Sequence, residues 1–581
     1  MAESRVSRYL SRLKDYETEK RYWIPLYQAL AEIYLTRSAD FTRASIPGEF
    51  LQDNIFDNTP QFSAYVMASV FLSMLWPDSS RTFNIVPVPQ LKGQTGVEAY
   101  FRAVTDKMHL AMDRPEAGLQ LALMAHFLDQ GVFGTSGIAT FDGPEDDPDV
   151  PVVYEAWDVK SMCIAENPQG FVDTVFIKII RTVRQVYEEY GSGKRGDKIS
   201  ASIVEKYKAY KYDDKVEILK VLEPKTPELG KKGVAAMKCR SIHIDISNKV
   251  IMREGGFEEM PLAVGRMFKR ADETQGRSCG MVALPAANSL NALTEAILVA
   301  SEKQLDPPLA LLDDGRLGGA VIDTSAGALS VLNASGRLGG EKPIFPLFTV
   351  GEMQSAEKLK EQLIQEVTQG FFLDRLLDLN NKTMMTAYET SVRNRLRGES
   401  TGAVFARQIM EVLSPTVKRT FNVMNRKGHF GFGDKGAGAE QRRRWLQLTG
   451  KDDMVVPEIV KKAVAAGLDV YDIEYISPAR RFMQAEKLQG LFTALDSIAA
   501  LAPIFPSIVH RVDPDIAADD IYTLAGAPKT SLRTPEDTQA ARAADAKLQQ
   551  TAGALNAGKD IAQIQRDSAQ ARVAMGTIPK G

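Results

Sequence analysis

The stretch that decides the architecture is ALPAANSLNALTEAILVASEKQLDPPLALLDDG, Ala283 to Gly315. After Pro285 its apolar residues Leu290, Leu293, Ile297 and Ala300 fall on one stripe of a helix. That helix is predicted to stop by about Leu305. Pro307 has no N–H for the carbonyl four residues back, and it pushes Asp306 out of the α region. A second arm is predicted from about Ser355 to Gly370, with Leu359, Leu363, Ile364, Val367 and Phe371 on its buried side. At ~1.5 Å per residue each arm spans roughly 25 to 30 Å. Between the arms, Leu309 to Met353 is rich in glycine and in short apolar runs (309–312, 320–322, 328–332, 343–346), which read as strands joined by turns. Such a hairpin cannot bury itself within one domain. It is expected to project from a body and to pack against copies of itself.

The body expected on either side is α+β and mainly helical. Residues 4 to 35, Gln61 to Leu75 and Gly96 to Met112 show helical spacing. From Val152 to Ile180 the pattern becomes β-rich, with a hairpin signal at Asn167-Pro-Gln-Gly170. Further strands are expected at Val216 to Leu222, Ser241 to Ile246 and Lys249 to Arg253. After the second arm comes a polar segment, Phe371 to Met385. Thr386 and Glu389 then form a capping box opening a long helix, which Pro415 is expected to kink and Gly428 to stop. A glycine-rich segment follows, then the basic run Arg442, Arg443 and Arg444, read equally well as a phosphate contact or as a solvated helix start. Ser477-Pro478 opens another helical region to about Ala527, and an Ala/Gln-rich tail completes the chain.

Composition narrows the function. A chain of 581 residues exceeds one core, so several subdomains are expected. With a formal net charge of −3, it does not coat nucleic acid by bulk attraction, so any DNA contact is local or transient. Cys163, Cys239 and Cys279 are too scattered for a disulfide framework or a zinc site, which suits a reducing cytoplasm. The opening residues do not read as a signal peptide, and no stretch reads as the ~18 apolar residues of a membrane span.

Candidate chemistry dissolves on inspection. Gly191 to Gly196 matches G-x-G-x-x-G in letters, but Val183 to Tyr190 before it reads as a helix and not as the strand a dinucleotide fold requires. The acidic residues Asp142, Glu145, Asp146, Asp147 and Asp149 sit among Gly143, Pro144 and Pro148 and read as a solvated turn. Asp513, Asp515, Asp519 and Asp520 lack the Gly and distal Glu of a calcium loop; Asp519-Asp520 are read as opening a helix. His109, His126, His243, His429 and His510 are dispersed, without metal-ligand spacing. No catalytic residues, metal site or cofactor are expected.

The residues quoted first carry a resemblance. Ala283 to Gly315 resembles the first stem helix of podovirus portal proteins, the head-to-tail connectors of short-tailed phages. Thr386 to Glu389 with Arg393, Arg395, Phe405, Arg407, Glu411, Pro415, Arg419 and Phe421 resembles that family's long helix after the tunnel loop. Asn58-Thr59, Ala68-Ser69, Leu75-Trp-Pro77 and Phe83 resemble its N-terminal body, and Gly131 to Thr140 the turn that follows. In family order these cover most of residues 20 to 530. Ser278-Cys279 departs from the family's more frequent Gly-Pro or Ser-Pro.

The resemblance implies a wing over 1–282, a first stem helix over 283–305, a clip over 306–352, a second stem helix over 353–371 and a tunnel loop over 372–386. It further implies a kinked wing helix with a Gly-rich insertion over 387–476, a crown over 477–533 and a flexible or helical tail over 534–581. About twelve subunits would close as a ring at one capsid vertex, assembled in the host cytoplasm and kept in the virion. Double-stranded DNA would pass through it in packaging and ejection. The implied partners are the terminase large subunit, the tail adaptor, the major capsid and scaffolding proteins and the ejection or core proteins, with no membrane. Arg375, Asn380, Asn381 and Lys382 would face the DNA, Arg316, Arg337 and Lys342 would meet docking partners, and Pro415 would bend the helix. The alternatives are another structural virion protein, such as a scaffold or ejection component, or a nuclease whose carboxylates come from separated segments.

Overall fold

A computed structural model describes residues 2–525 apart from 43–47, 49–51, 78–80, 95, 145–146, 148, 192–196, 226–236, 314–321, 334–343, 348–352, 377–401, 433–435, 450–453, 477, 502, 504 and 506–511, together with residues 538 and 542. The chain divides into two compact units, Met1–Met483 and Gln484–Gly581.

The first unit is α+β. Helices α1 (Ala2–Arg21), α2 (Ile24–Tyr34), α3 (Thr59–Leu75), α4 (Val97–Met112) and α5 (Leu119–Phe133) precede strands β2 (Thr135–Asp142), β3 (Val152–Trp157), β4 (Met162–Glu166) and β5 (Val172–Thr182). Two short helices, α6 (Val183–Tyr190) and α7 (Ala201–Lys208), lead to β6 (Lys215–Pro224), β7 (Cys239–Asp245), β8 (Val250–Phe257) and β9 (Leu262–Arg266). Strands β4 to β8 form an antiparallel sheet in sequence order, and a second sheet runs β3-β2-β9. Every residue of β7 and β9 is buried, so both strands are covered on both faces.

The expected hairpin at 167–170 is present. Asn167 Oδ1 accepts the Gln169 and Phe171 amides at 3.0 and 2.9 Å, and Gly170 takes the left-handed φ of 81° that closes the turn. One pairing was not legible. Strand β1 (Phe83–Pro87) pairs with β13 (Tyr471–Tyr475), nearly four hundred positions away, and no local pattern specifies so long a loop closure.

Helices α2 to α5 enclose one large core around Tyr27, Phe71, Phe101 and Phe127. Helix α8 (Cys279–Leu305) and helix α9 (Gln354–Gly370) are rooted in it through Cys279, Ala283, Ala287, Leu290, Val367 and Phe371. Helix α8 begins earlier than the sequence suggested, and Pro285 lies inside it. Ser278 is the reason. Its hydroxyl caps the helix by accepting the Met281 N–H at 2.9 Å and donates to the Val132 carbonyl at 2.6 Å. An interior proline costs about 3 kcal/mol; burial of the first turns in the main core offsets it.

The segment after the second arm is described from residue 402. It is helical to 408, widens into a π turn over Ile409–Leu413 and continues as the helix Ser414–Arg426. Pro415 sits in the first turn after the widening. Lacking an N–H, it leaves the Glu411 carbonyl without its i+4 donor, and a π turn is a common place to absorb such a gap. Beyond Arg426, Gly428 takes a left-handed φ of 82°, where the helix was expected to stop. The Thr386–Glu389 capping box lies outside the described residues.

The π turn is pinned from the side. Arg266 is fully buried, and its backbone N–H and Nη2 donate to the two oxygens of Glu411 at 2.9 Å each. Its other terminal nitrogen pairs with Glu166, and Nη2 also donates to the Gly170 carbonyl at 2.8 Å. One guanidinium thus joins β4, the hairpin turn, β9 and the π turn. Breaking a buried pair from one side costs about 3–5 kcal/mol, because an uncompensated charge stays behind. Glu411→Gln is therefore expected to destabilise the chain by an amount in this range, read from the urea unfolding midpoint. A loss below about 1 kcal/mol would show that the pair behaves as a surface ion pair.

In the second unit and its approach, the helix Pro478–Leu501 is followed by Pro514–Ala525. Asp513 opens the latter by accepting the Asp515 N–H at 2.9 Å, so the expectation that Asp519-Asp520 begin a helix is corrected: they lie inside one.

Candidate functional site

The hairpin of α8 and α9, with the sheet at its far end, is the feature that the body serves to hold. Leu290 is buried against the core, and Leu293, Ile297 and Ala300 are half-buried along the same stripe. On α9, Leu363 and Ile364 are half-buried and Val367 is fully buried, whereas Leu359 is 48% exposed and does not belong to the buried side. At the close approach of the two helices, a Cβ on Gly370 would stand 2.8 Å from the Ala283 methyl group.

A polar tie fixes the root of the pair. Asn291 on α8 accepts the Phe56 amide at 2.7 Å and donates to the Asn54 carbonyl at 2.7 Å. Asp57, just before α3, accepts the Thr59 amide at 2.9 Å and meets Thr294 of α8 at 3.4 Å and Lys360 of α9 at 3.1 Å. Burial pushes the Asp57 carboxyl up, but the Thr59 hydrogen bonds and the Lys360 ammonium outweigh it and hold the group below the usual carboxylate range. No sequence spacing signalled this tie, because its members come from segments more than two hundred residues apart.

Several apolar residues of α8 are uncovered, spread around the helix rather than along one face. Val282 is 68%, Leu298 49%, Val299 44% and Leu305 87% exposed. The helix is long and apolar enough to cross a bilayer by length and composition, and only 22% of its most apolar window is buried. The expectation that no stretch reaches such hydrophobicity is thus corrected. Asn288, Asn291, Thr294 and Glu295 interrupt the apolar surface at mid-helix, and two of them bond the body. The hairpin is acidic on balance: Glu295, Glu302, Glu357, Glu361 and Glu366 are all exposed, against the exposed Lys358, while Lys360 is taken up by Asp57.

At the tip, β10 (Leu309–Asp313) lies between β11 (Leu329–Asn333), to which it is parallel, and β12 (Ile344–Pro346), to which it is antiparallel. These are the runs read from the sequence at 309–312, 328–332 and 343–346. Asp306-Pro307-Pro308 suspends the sheet: the Asp306 carbonyl accepts the Gly327 amide at 2.9 Å and the Pro308 carbonyl accepts the Leu347 amide at 2.8 Å. Ile322, Leu329 and Ile344 are exposed, and β11 and β12 are edge strands among the described residues.

Of the residues singled out from the sequence, Arg316, Arg337, Lys342, Asn380, Asn381 and Lys382 lie outside the described residues. Arg375 falls in the short helix Leu373–Leu376, and Pro415 follows the π turn. Among the described residues, no group of three or more His, Cys, Asp or Glu side chains is placed to hold a metal. Burial pushes His126 and His243 down to about 3 and His429 down to about 4, so all three are neutral at neutral pH. Cys163, Cys239 and Cys279 are buried and unpaired, and burial pushes the Cys239 and Cys279 thiols up to about 11 and 12.

A helical pair rooted in an α+β body, acidic on balance and ending in a small sheet with open edges, is the element that stands out from the rest of the fold. The chain belongs to the family described as bacteriophage head to tail connecting protein, whose model matches residues 6–435. It is 23% identical over 575 residues to the portal protein of Salmonella phage epsilon15, covering 97% of this chain and 95% of that one. To the probable portal protein of Bordetella phage BPP-1 it is 22% identical over 566 residues, covering 95% and 94%. Among solved structures, a chain from the virion of a native gene transfer agent particle is 13% identical with a TM-score of 0.31, over 73% of this chain and 95% of that one.

The root of the hairpin can be tested apart from the rest. Asp57→Ala removes the acceptor shared by Thr59, Thr294 and Lys360, at a cost of about 1–3 kcal/mol. Amide hydrogen exchange is expected to accelerate in α9 and the middle of α8 while β4 to β8 keep their protection. Unchanged exchange in both arms would show that packing alone holds the root.

Proposed function

We propose that this chain is a phage portal protein, the ring subunit through which double-stranded DNA enters the capsid and later leaves it. About twelve copies close around a tunnel at one capsid vertex, as symmetric assemblies of identical chains do. The observation that carries the reading is the uncovered apolar surface of α8 beyond its root. Leu298 and Leu305 continue the buried stripe of Ala287, Leu290 and Thr294 but are themselves exposed, as are Val282 and Val299; covering this apolar surface is favourable in water, and copies of the same hairpin supply the cover. The exposed glutamates of the hairpin suit a conduit: each Lys or Arg that neutralises a phosphate adds salt-dependent affinity, so an acidic wall lets a duplex slide.

In this reading residues 1–282 are the wing, α8 and α9 the stem, 306–352 the clip, 372–386 the tunnel loop and 477–533 the crown. Arg375, Asn380, Asn381 and Lys382 offer the DNA a mixture of cations and neutral hydrogen-bonding groups. The clip, with Arg316, Arg337 and Lys342, receives first the terminase large subunit and then the tail adaptor. Capsid, scaffolding and ejection proteins meet the assembly elsewhere.

The open edges of β11 and β12 set the test, because an edge strand is a ready template for another chain. Replacing residues 315–340 by a short Gly/Ser linker is expected to abolish capture of both terminase and adaptor in pull-downs, while assembly persists through stem and wing. Capture of either partner at undiminished affinity would place its docking surface elsewhere.

A further inference from the structure

On one side of the body, α5, the end of β3, the turn 158–161, β5 and the start of β6 enclose an open cleft of about 620 Å³. That size lies within the roughly 300–1,000 Å³ of small-ligand sites. Trp157, only 9% exposed, forms part of its wall, and its indole N–H has no hydrogen-bond partner, so packing alone holds the ring. Ile180, 60% exposed, adds an apolar wall.

The charge around the cleft is unbalanced. The side chains of Asp129, Glu155 and Glu217 make no hydrogen bond or ion pair with any described residue. Asp158 is also acidic and caps its own turn, accepting the Ser161 amide at 3.0 Å. Of the cations, Lys160 is taken up by Asp40 and Lys178 by Glu17. Arg181 on the wall and Lys220 of β6, whose ammonium feels the Glu155 carboxylate, are left against four carboxylates.

We propose that this cleft binds an alkylammonium or guanidinium cation, its stem against Trp157 and Ile180 and its charge facing Asp129, Glu155 and Glu217. The chemistry fits a free polyamine, and it fits equally the Lys or Arg side chain of a second copy. Burial, reinforced by Asp158, pushes the Asp129 carboxyl up to about 7. A bound cation favours its ionised form, so binding releases a proton near neutral pH and weakens as pH falls.

The probe is spermidine, titrated into the purified full-length chain by calorimetry and Trp fluorescence at matched ionic strength. One spermidine per chain is expected, bound about tenfold more tightly at pH 8 than at pH 6, as a carboxyl near 7 dictates. Glu155→Gln with Glu217→Gln, on the exposed rim where folding is undisturbed, should weaken binding about tenfold. Asp129→Asn should flatten the pH dependence, and Trp157→Phe should remove the fluorescence change. Uptake by assembled and dissociated chains alike identifies a free polyamine as the occupant. Uptake by dissociated chains alone identifies a side chain from a second copy. No saturable binding by either form, or binding indifferent to Glu155→Gln with Glu217→Gln, overturns the proposal.

Discussion

The body depends on one buried cation. Arg266 has no solvent of its own, so its charge has to be answered inside the protein, and Glu411 and Glu166 answer it from two directions. Glu166 ends β4 and the Gly170 carbonyl belongs to the hairpin turn, whereas Glu411 lies in the π turn preceding Ser414–Arg426. Nearby, Arg407 reaches Glu411 at 3.5 Å and Lys269 reaches Glu166 at 2.6 Å, so each carboxylate is shared between two cations. The sheets and the long helix are therefore positioned relative to each other by charge as well as by apolar contact. A second buried arginine repeats the device one layer away: Arg419 donates to the Thr140 carbonyl at 2.8 Å and pairs with Glu259 at 3.3 Å. Both arginines lie between the sheets and the helix that follows the second arm, so movement of that helix has to carry or break these pairs.

The hairpin stands on a different footing. Its inner stripe is rooted in the same core as α2 to α5, and Asp57 and Asn291 fix its angle with hydrogen bonds that point in defined directions. Apolar packing tolerates sliding of one helix on another; an amide and a carboxylate shared among three segments do not. Rigidity at the root and exposed apolar side chains farther out are what the proposed contact with another copy needs.

Much of this was legible in the sequence because it is local. The strands at 152–182, the turn at 167–170, the end of the first arm before Pro307 and the strands at the tip all follow from side-chain periodicity and turn chemistry within a few residues. What escaped was non-local. The Arg266 cluster, the Asp57 tie and the β1–β13 pairing each join segments a hundred or more positions apart, and neither periodicity nor capping speaks to them. Leu359 matched the apolar spacing yet is exposed, since spacing shows which residues share a face and not how much of it the neighbouring helix covers. Pro285 misled in the opposite sense: proline marks a helix boundary locally, but the Ser278 cap and the burial of Cys279 carry the helix through it.

The central claim is that the uncovered apolar residues of the hairpin lie in an interface between identical chains arranged about a tunnel. Electron-microscopic imaging of the purified protein at micromolar concentration, with no partner added, tests it most directly. The account predicts closed rings of uniform subunit number with a central hole about as wide as a DNA duplex. A population of monodisperse monomers, or open filaments without closure, would contradict it.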